Sequence, residues 1–279
     1  MNSDSLLRHY AADARSLLPG ATAGVLQLMY PQLGAGVEEH SDFFAEPFGR
    51  IVRSVPQIWA TILEPDAAAR GRHIRDLHRD IGGVDRQGRR YHALQPDTFW
   101  WAHATFTWEI FRAVELFHPE TLTRADEERL YRDTVRWYEG YGLSMRPVPP
   151  DYRSFRIRFD EICSGTLELT PTAARALDIG ARGSAADLLP VLPRPLVRAA
   201  DGLITPPARI LLFGCLPDPV RTRFAIPWTR ADRVRFAALT AAVRGGARLV
   251  PHPVNRWGVR TALRYVGAYT RPDRYRPAA

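Results

Sequence analysis

Lysine is absent from this chain: all 38 basic residues are arginine. Such usage more often reflects a GC-rich genome than selection for guanidinium chemistry, so it names no partner by itself. Cysteine is scarce as well. Cys163 and Cys215 stand far apart, which offers neither a zinc-ligand spacing nor a disulfide framework. Two such thiols are expected to stay reduced in a cytoplasm, although one bridge between them is compatible with the count. No run approaches the roughly 18–20 apolar residues that a bilayer-crossing helix needs. The opening MNSDSLLRHYAADARSLLPG has no charged start and no apolar core, so it does not read as a secretory signal. Internal repeats, low-complexity tracts and Gly-rich phosphate loops are missing too, which leaves a nucleotide cofactor without local support.

What is present fits an ordinary folded chain. With 279 residues, 46% hydrophobic and 10% aromatic, it can bury a sizeable core and is expected to form one large domain over residues 1–279. Its charge is lopsided. Residues 1–220 hold 25 Arg against 28 acids, while residues 221–279 hold 13 Arg against only Asp232 and Asp273. That divides the domain into a near-neutral core and an arginine-rich C-terminal part, which also carries Trp228, Trp257, Tyr265, Tyr269 and Tyr275. A solvated or internally paired face is the default reading of such charge. Peripheral docking on an anionic membrane, at the inner face of a cytoplasmic membrane, is the sharper one. Nucleic acid ranks last, because no helix-turn-helix, RNA-binding or zinc-finger signature accompanies the arginines.

The stretch Arg70–Phe117 organises the rest. It holds His73, His78, His92 and His103, half of the eight histidines. Ile74, Leu77, His78 and Ile81 fall on one helical stripe, with His73 about a quarter turn off its centre. The spacing predicts a helix to Ile81, stopped by Gly82-Gly83 acting as a left-handed cap. A polar turn over Asp85 to Arg90 follows. Asp97 or Thr98 then caps a second helix, with Phe99, His103, Phe106, Ile110, Val114 and Phe117 in line. Trp100, Trp101, Trp108 and Phe111 make its other sides apolar, so this helix is expected to be central and buried. Its Glu109 needs a partner inside, an arginine or His103. Spacing alone favours ordinary core roles for His78 and His103. A haem remains open, because it asks for only one axial imidazole and an apolar pocket.

Elsewhere the pattern is helical throughout. Helices are expected over about 4–17 and 19–37, with Pro31 interrupting the second. His40 precedes Asp42, a candidate cap. Residues 47–63 direct Phe48, Ile51, Val52, Val55, Trp59 and Ile62 inward, leaving Arg50, Arg53, Ser54, Gln57 and Thr61 on a wet face. Further helices are expected from Thr121 or Thr123 to Gly140, from Tyr152 to Leu169, from Pro171 behind a Thr170 cap, and from Arg230 to Arg244, where Val234, Phe236, Ala237 and Leu239 are the apolar residues. The prolines between residues 187 and 227 favour short helices over strands.

Several pieces, in this order, resemble one bacterial family. They are Ala23-Gly24 leading to Met29-Tyr30-Pro31, Gly36-Val37 with His40-Ser41, the run Arg50 to Ser54, His78 through Gly83, Gly88 with Tyr91, and Trp101 through Thr105. The chain is similar to the mpaB-type oxygenases and latex-clearing rubber oxygenases. That resemblance implies an all-α haem b oxygenase, an oxidoreductase using dioxygen on an apolar unsaturated substrate, isoprenoid or lipid-like. It implies His78 as the iron ligand. Tyr91, Trp100, Trp101 and Phe106 can supply the flat apolar walls a haem needs, and His103 is a further cofactor-binding candidate whose core role ranks above ligation. The resemblance also implies Arg50, Arg53, Ser54 and His40 on the oxygen side. Rubber-cleaving relatives carry Lys and Thr where this chain has Arg53 and Ser54. Charge and hydroxyl are kept, but guanidinium is longer and planar, and could pair a haem propionate instead. A haem carrier or sensor, or a helical lipid-binding scaffold without cofactor, are the alternatives from other classes.

Overall fold

The structure is a computed structural model and describes residues 5–41, 47–182, 184, 194–246, 249–250 and 252–269. In chain order the helices are α1 (Leu6–Ala11), α2 (Gly20–Leu28), α3 (Pro31–His40), α4 (Pro47–Leu63) and α5 (Ala67–Asp76). A hairpin of β1 (Gly82–Val84) and β2 (Arg90–His92) follows. Then come α6 (Pro96–Phe117), α7 (Arg124–Glu139), α8 (Tyr152–Glu161), α9 (Pro171–Arg182), α10 (Arg194–Leu203), α11 (Thr205–Cys215), α12 (Asp218–Arg223), α13 (Arg230–Gly246) and α14 (His252–Tyr269). Among the described residues the hairpin is the only sheet, antiparallel with Gly83 opposite Tyr91. The fold is all-α.

The core forms around α6, as its all-round apolarity requires. Trp100, Trp101, Ile110, Val114 and Phe117 are essentially inaccessible. Burying each such side chain contributes about 1.5–3 kcal/mol before entropy is counted. Helices α1, α2, α3, α7 and α13 pack on α6 from different sides. Trp101 lies between Tyr30, 5.8 Å away, and Phe159, 4.9 Å away, both stacked. Its indole N–H donates to the Leu26 carbonyl at 3.1 Å, so α6 is tied to α2 by a buried hydrogen bond as well as by packing.

Local signals set several helix ends. Thr123 caps α7 in a reciprocal capping box with Asp126, which satisfies two end amides at once. Thr123→Ala is expected to lower stability by about 1 kcal/mol, read as a shifted urea midpoint at unchanged m-value. Thr170 caps α9, its hydroxyl accepting from the Ala173 amide at 3.1 Å. Pro31 does interrupt the second helix, and it does so as the first residue of α3. The preceding Tyr30 is extended (φ −78°, ψ 120°), as a residue before proline prefers.

Four expectations are corrected. The helix before His78 ends at Asp76 instead of Ile81, and Leu77 is 56% exposed rather than part of a buried stripe. Gly82 and Gly83 belong to β1, with no left-handed φ. Close approach explains glycine here: a Cβ on Gly83 would lie 2.7 Å from Glu39 Oε2 and 2.8 Å from the Tyr91 hydroxyl. The left-handed residue is Gly88 (φ +78°), in the hairpin turn where Asp85 Oδ1 accepts the Gln87 and Arg89 amides. Thr61 is buried, because α7 covers it and the Trp137 indole donates to its hydroxyl at 2.6 Å. Helix α8 also stops at Glu161 and passes into a π turn, Ile162–Thr166, short of Leu169.

Candidate functional site

His78 sits in the turn between α5 and β1, half-buried. Its amide donates to the Arg75 carbonyl at 2.9 Å, continuing the helix by one tight turn. Its Nδ1 lies 2.7 Å from the Ile74 carbonyl. A carbonyl can only accept, so Nδ1 carries the proton and the lone pair resides on Nε2. Fixing the tautomer through Nδ1 is the usual way a protein orients a metal-binding imidazole. The ring meets the Phe99 ring edge-on, with centroids 6.1 Å apart. The first turn of α6 therefore backs this imidazole.

The hairpin after His78 gathers three more groups. His92 accepts the Leu94 amide through Nδ1 at 3.1 Å and donates from Nε2 to the Arg79 carbonyl at 2.9 Å. It thereby clamps the backbone next to His78. The Tyr91 hydroxyl donates to Glu39 Oε2. Burial and that bond push the Tyr91 ionisation above its ordinary value, so it stays a neutral phenol. His40, at the end of α3, is exposed and lies 3.3 Å from the Gly82 carbonyl through Nε2, with its ring edge-on to Tyr91 at 6.4 Å. The roles of His92, Glu39 and Phe99 escape a reading of the sequence, because each depends on the β1–β2 register or on how α3 crosses the hairpin.

His103 has a different environment. It is 6% exposed, and its Nε2 donates to the Thr134 carbonyl at 3.0 Å. The rings of Trp137, Tyr138 and Tyr141 enclose it at centroid distances of 4.5, 5.1 and 6.1 Å. Burial drives its ionisation down to about 3, so it is a neutral core imidazole. Its Nδ1 has no hydrogen-bond partner among the described residues. Trp101, stacked on both sides in the core, likewise leaves no face for a flat cofactor. Phe99 links the two histidines: it touches His78 on one side and Tyr138 and Tyr141 on the other.

Of the oxygen-side candidates, Arg50 and Arg53 belong to α4, but their side chains lie outside the described ones. Ser54 is half-buried on the same helix. Helix α4 packs directly on α5, so the run Arg50–Ser54 shares a helix pair with the segment leading into His78. Two open clefts on the described surface lie elsewhere. One, about 690 Å³, runs along Tyr30, Asp97, Trp100, Arg146 and Arg158. The other, about 400 Å³, runs along Leu116, Ala237, Thr240 and Arg244.

Glu109 does not meet the arginine or histidine partner its burial called for. It is 1% exposed, and its Oε2 has no partner among the described residues. Its Oε1 lies against Gly20 at the start of α2, where a Cβ would come within 3.0 Å. Burial raises its ionisation well above the usual carboxylate range. The folded state therefore holds Glu109 as a neutral acid. Stability from this group is complete below the unfolded carboxylate value, about 4.3, and is lost as pH rises toward the raised folded value. Glu109→Gln is expected to raise the melting temperature by several degrees at pH 8. The gain should shrink at pH 4.5, as thermal scans at the two pH values would show.

A family model described as ER-bound oxygenase mpaB/B'/Rubber oxygenase, catalytic domain, matches residues 8–245. Comparison with curated proteins and with solved structures finds no match. The matched span runs from α1 through nearly all of α13 and includes the α4–α5 pair, the His78 turn, the hairpin and all of α6. That span covers well over half of the chain, and the chain belongs to the ER-bound oxygenase mpaB/B'/rubber oxygenase catalytic-domain family.

Proposed function

We propose that this chain is a haem b-dependent oxygenase in which His78 would hold the haem iron and whose substrate is apolar and unsaturated, isoprenoid or lipid-like. The observation that carries the reading is the Nδ1–H bond from His78 to the Ile74 carbonyl. It leaves Nε2 as the donor atom that iron requires, on a ring backed by Phe99. His103 is the poorer ligand, because three aromatic rings enclose it in the core. His103 and Trp101 act from within the core instead, holding α6 so that Phe99 meets the His78 ring. Tyr91 and His40 close the hairpin side.

Haem b, when bound, supplies the redox-active iron that activates dioxygen for attack on a carbon–carbon double bond. The residues of this chain do the rest. Arg53, with Ser54, is assigned to stabilise negative charge developing on oxygen, and Arg50 to pair an acidic group of the cofactor or to share that task. Helices α4 and α6 provide apolar walls that keep water from the reacting carbons.

The test is oxygen uptake by haem-loaded protein given a short polyisoprenoid, with carbonyl products trapped as hydrazones. Uptake that yields carbonyls from the unsaturated compound and none from its saturated analogue is expected. Haem retention without uptake on any unsaturated lipid would instead make the chain a carrier or sensor.

A further inference from the structure

The arginine-rich end of the chain leaves an apolar ridge uncovered. Leu249 is 85% exposed, Val250 49%, Val254 56% and Trp257 70%. Leu249 and Val250 form a bend, closed by the Leu249 amide on the Gly246 carbonyl at 2.9 Å, immediately before α14. The start of α14 is anchored on its opposite side: Val259 is buried, and Asn255 accepts the Ala14 amide at 3.4 Å. At 100° per residue, Val254, Trp257 and Thr261 fall within an arc of about 60°, turned away from Asn255 and Val259. Four large apolar groups therefore stand outward in one short stretch, where single exposed residues would be unremarkable.

The charge around this ridge says what covers it. From Arg233 to Pro272 the chain holds eight arginines and no acid. A second copy of the chain would set arginine against arginine. A nucleic acid would meet the charge but leave tryptophan, leucine and valine facing water. An anionic bilayer satisfies both, since arginines pair with headgroup phosphates while an indole and aliphatic side chains enter the interface. No helix among the described residues is long and apolar enough to cross a membrane, so the contact is lateral.

We propose that the bend at Leu249–Val250 and the outward face of α14 dock this protein on an anionic lipid surface. Helix α14 rests on α4, the helix that carries Arg50, Arg53 and Ser54. Docking would hold the oxygen-side helix next to the phase in which an apolar substrate dissolves. That last consequence rests on the oxygenase reading; the docking itself does not.

The full chain, with or without haem, is to be co-sedimented with vesicles of phosphatidylcholine and with vesicles of phosphatidylcholine mixed with phosphatidylglycerol. Binding to the mixed vesicles alone, weakened by added salt, is expected. The double variant Leu249→Ser, Trp257→Ser should weaken that binding about tenfold or more, with an unchanged circular dichroism spectrum because both side chains are already in water. The proposal is overturned by absence of binding to mixed vesicles, or by equal binding of the double variant. It is also overturned if the double variant abolishes a self-association seen in solution, or if duplex DNA is bound and anionic vesicles are not. Failure of oxygen uptake with intact vesicle binding would reject the oxygenase and leave the docking surface standing.

Discussion

His78→Ala is expected to remove the Soret absorbance of the haem-loaded protein while the fold persists. The two effects separate because of where His78 sits. It is half-buried in a turn after α5, and its Nδ1 hydrogen-bonds the Ile74 carbonyl. Losing a bond of that kind costs about 0.5–1.5 kcal/mol, far less than a domain's usual stability. Loss of the imidazole proposed to hold the iron, in contrast, should reduce haem retention through gel filtration by tenfold or more. Imidazole in the buffer supplies an independent check. His78→Gly should regain a Soret band on addition of imidazole, since the small molecule can occupy the vacated ring position, and a merely structural histidine would show no such rescue. Retention of the band in both variants would move the ligand elsewhere.

His103→Ala should have the reverse profile. Its ring fills a site walled by Trp137, Tyr138 and Tyr141, and truncation there leaves a cavity that these rigid rings cannot collapse into. Large-to-small changes at such sites cost about 2–5 kcal/mol, so the denaturation midpoint should fall sharply. The haem bound per folded molecule should stay at the wild-type level. The pH dependence carries a second signature. Burial holds the folded-state ionisation of His103 at about 3, below the unfolded value of about 6.5. Its contribution to stability is therefore present above that unfolded value and lost as pH falls toward 3. Wild-type protein should lose stability over this window more steeply than His103→Ala, in denaturant titrations at pH 7 and pH 4.5. Parallel losses in the two proteins would mean that the ring is not buried and neutral as described.

Much of the fold is legible in the residues themselves, and the exceptions have a common cause. Helix α4 begins at Pro47 and ends at Leu63 as its apolar spacing requires, and α6 is buried all round because it is apolar all round. Thr123 and Thr170 cap the helices they precede. Each of these rests on neighbours within a few positions. Gly82 and Gly83, in contrast, read locally as a helix stop, and only their pairing with Tyr91 and His92 makes them a strand. Thr61 is misplaced for the same reason: burial depends on which helix happens to cover a face. The site divides in the same way. Periodicity put both His78 and His103 on apolar faces and could not rank them. Resemblance to the oxygenase family singles out His78, while His103 is enclosed by three aromatic rings. Glu39 and His92, which fix the hairpin beside His78, have no local mark, since their partners are set by tertiary crossing.

The most direct test is the haem content of the purified chain, expressed with haem supply and read as a pyridine haemochrome against protein concentration. About one haem b per chain is the predicted result, with a Soret band in the untreated spectrum. A chain that is folded by circular dichroism yet takes up no haem, even after incubation with haemin, would contradict the account at its root.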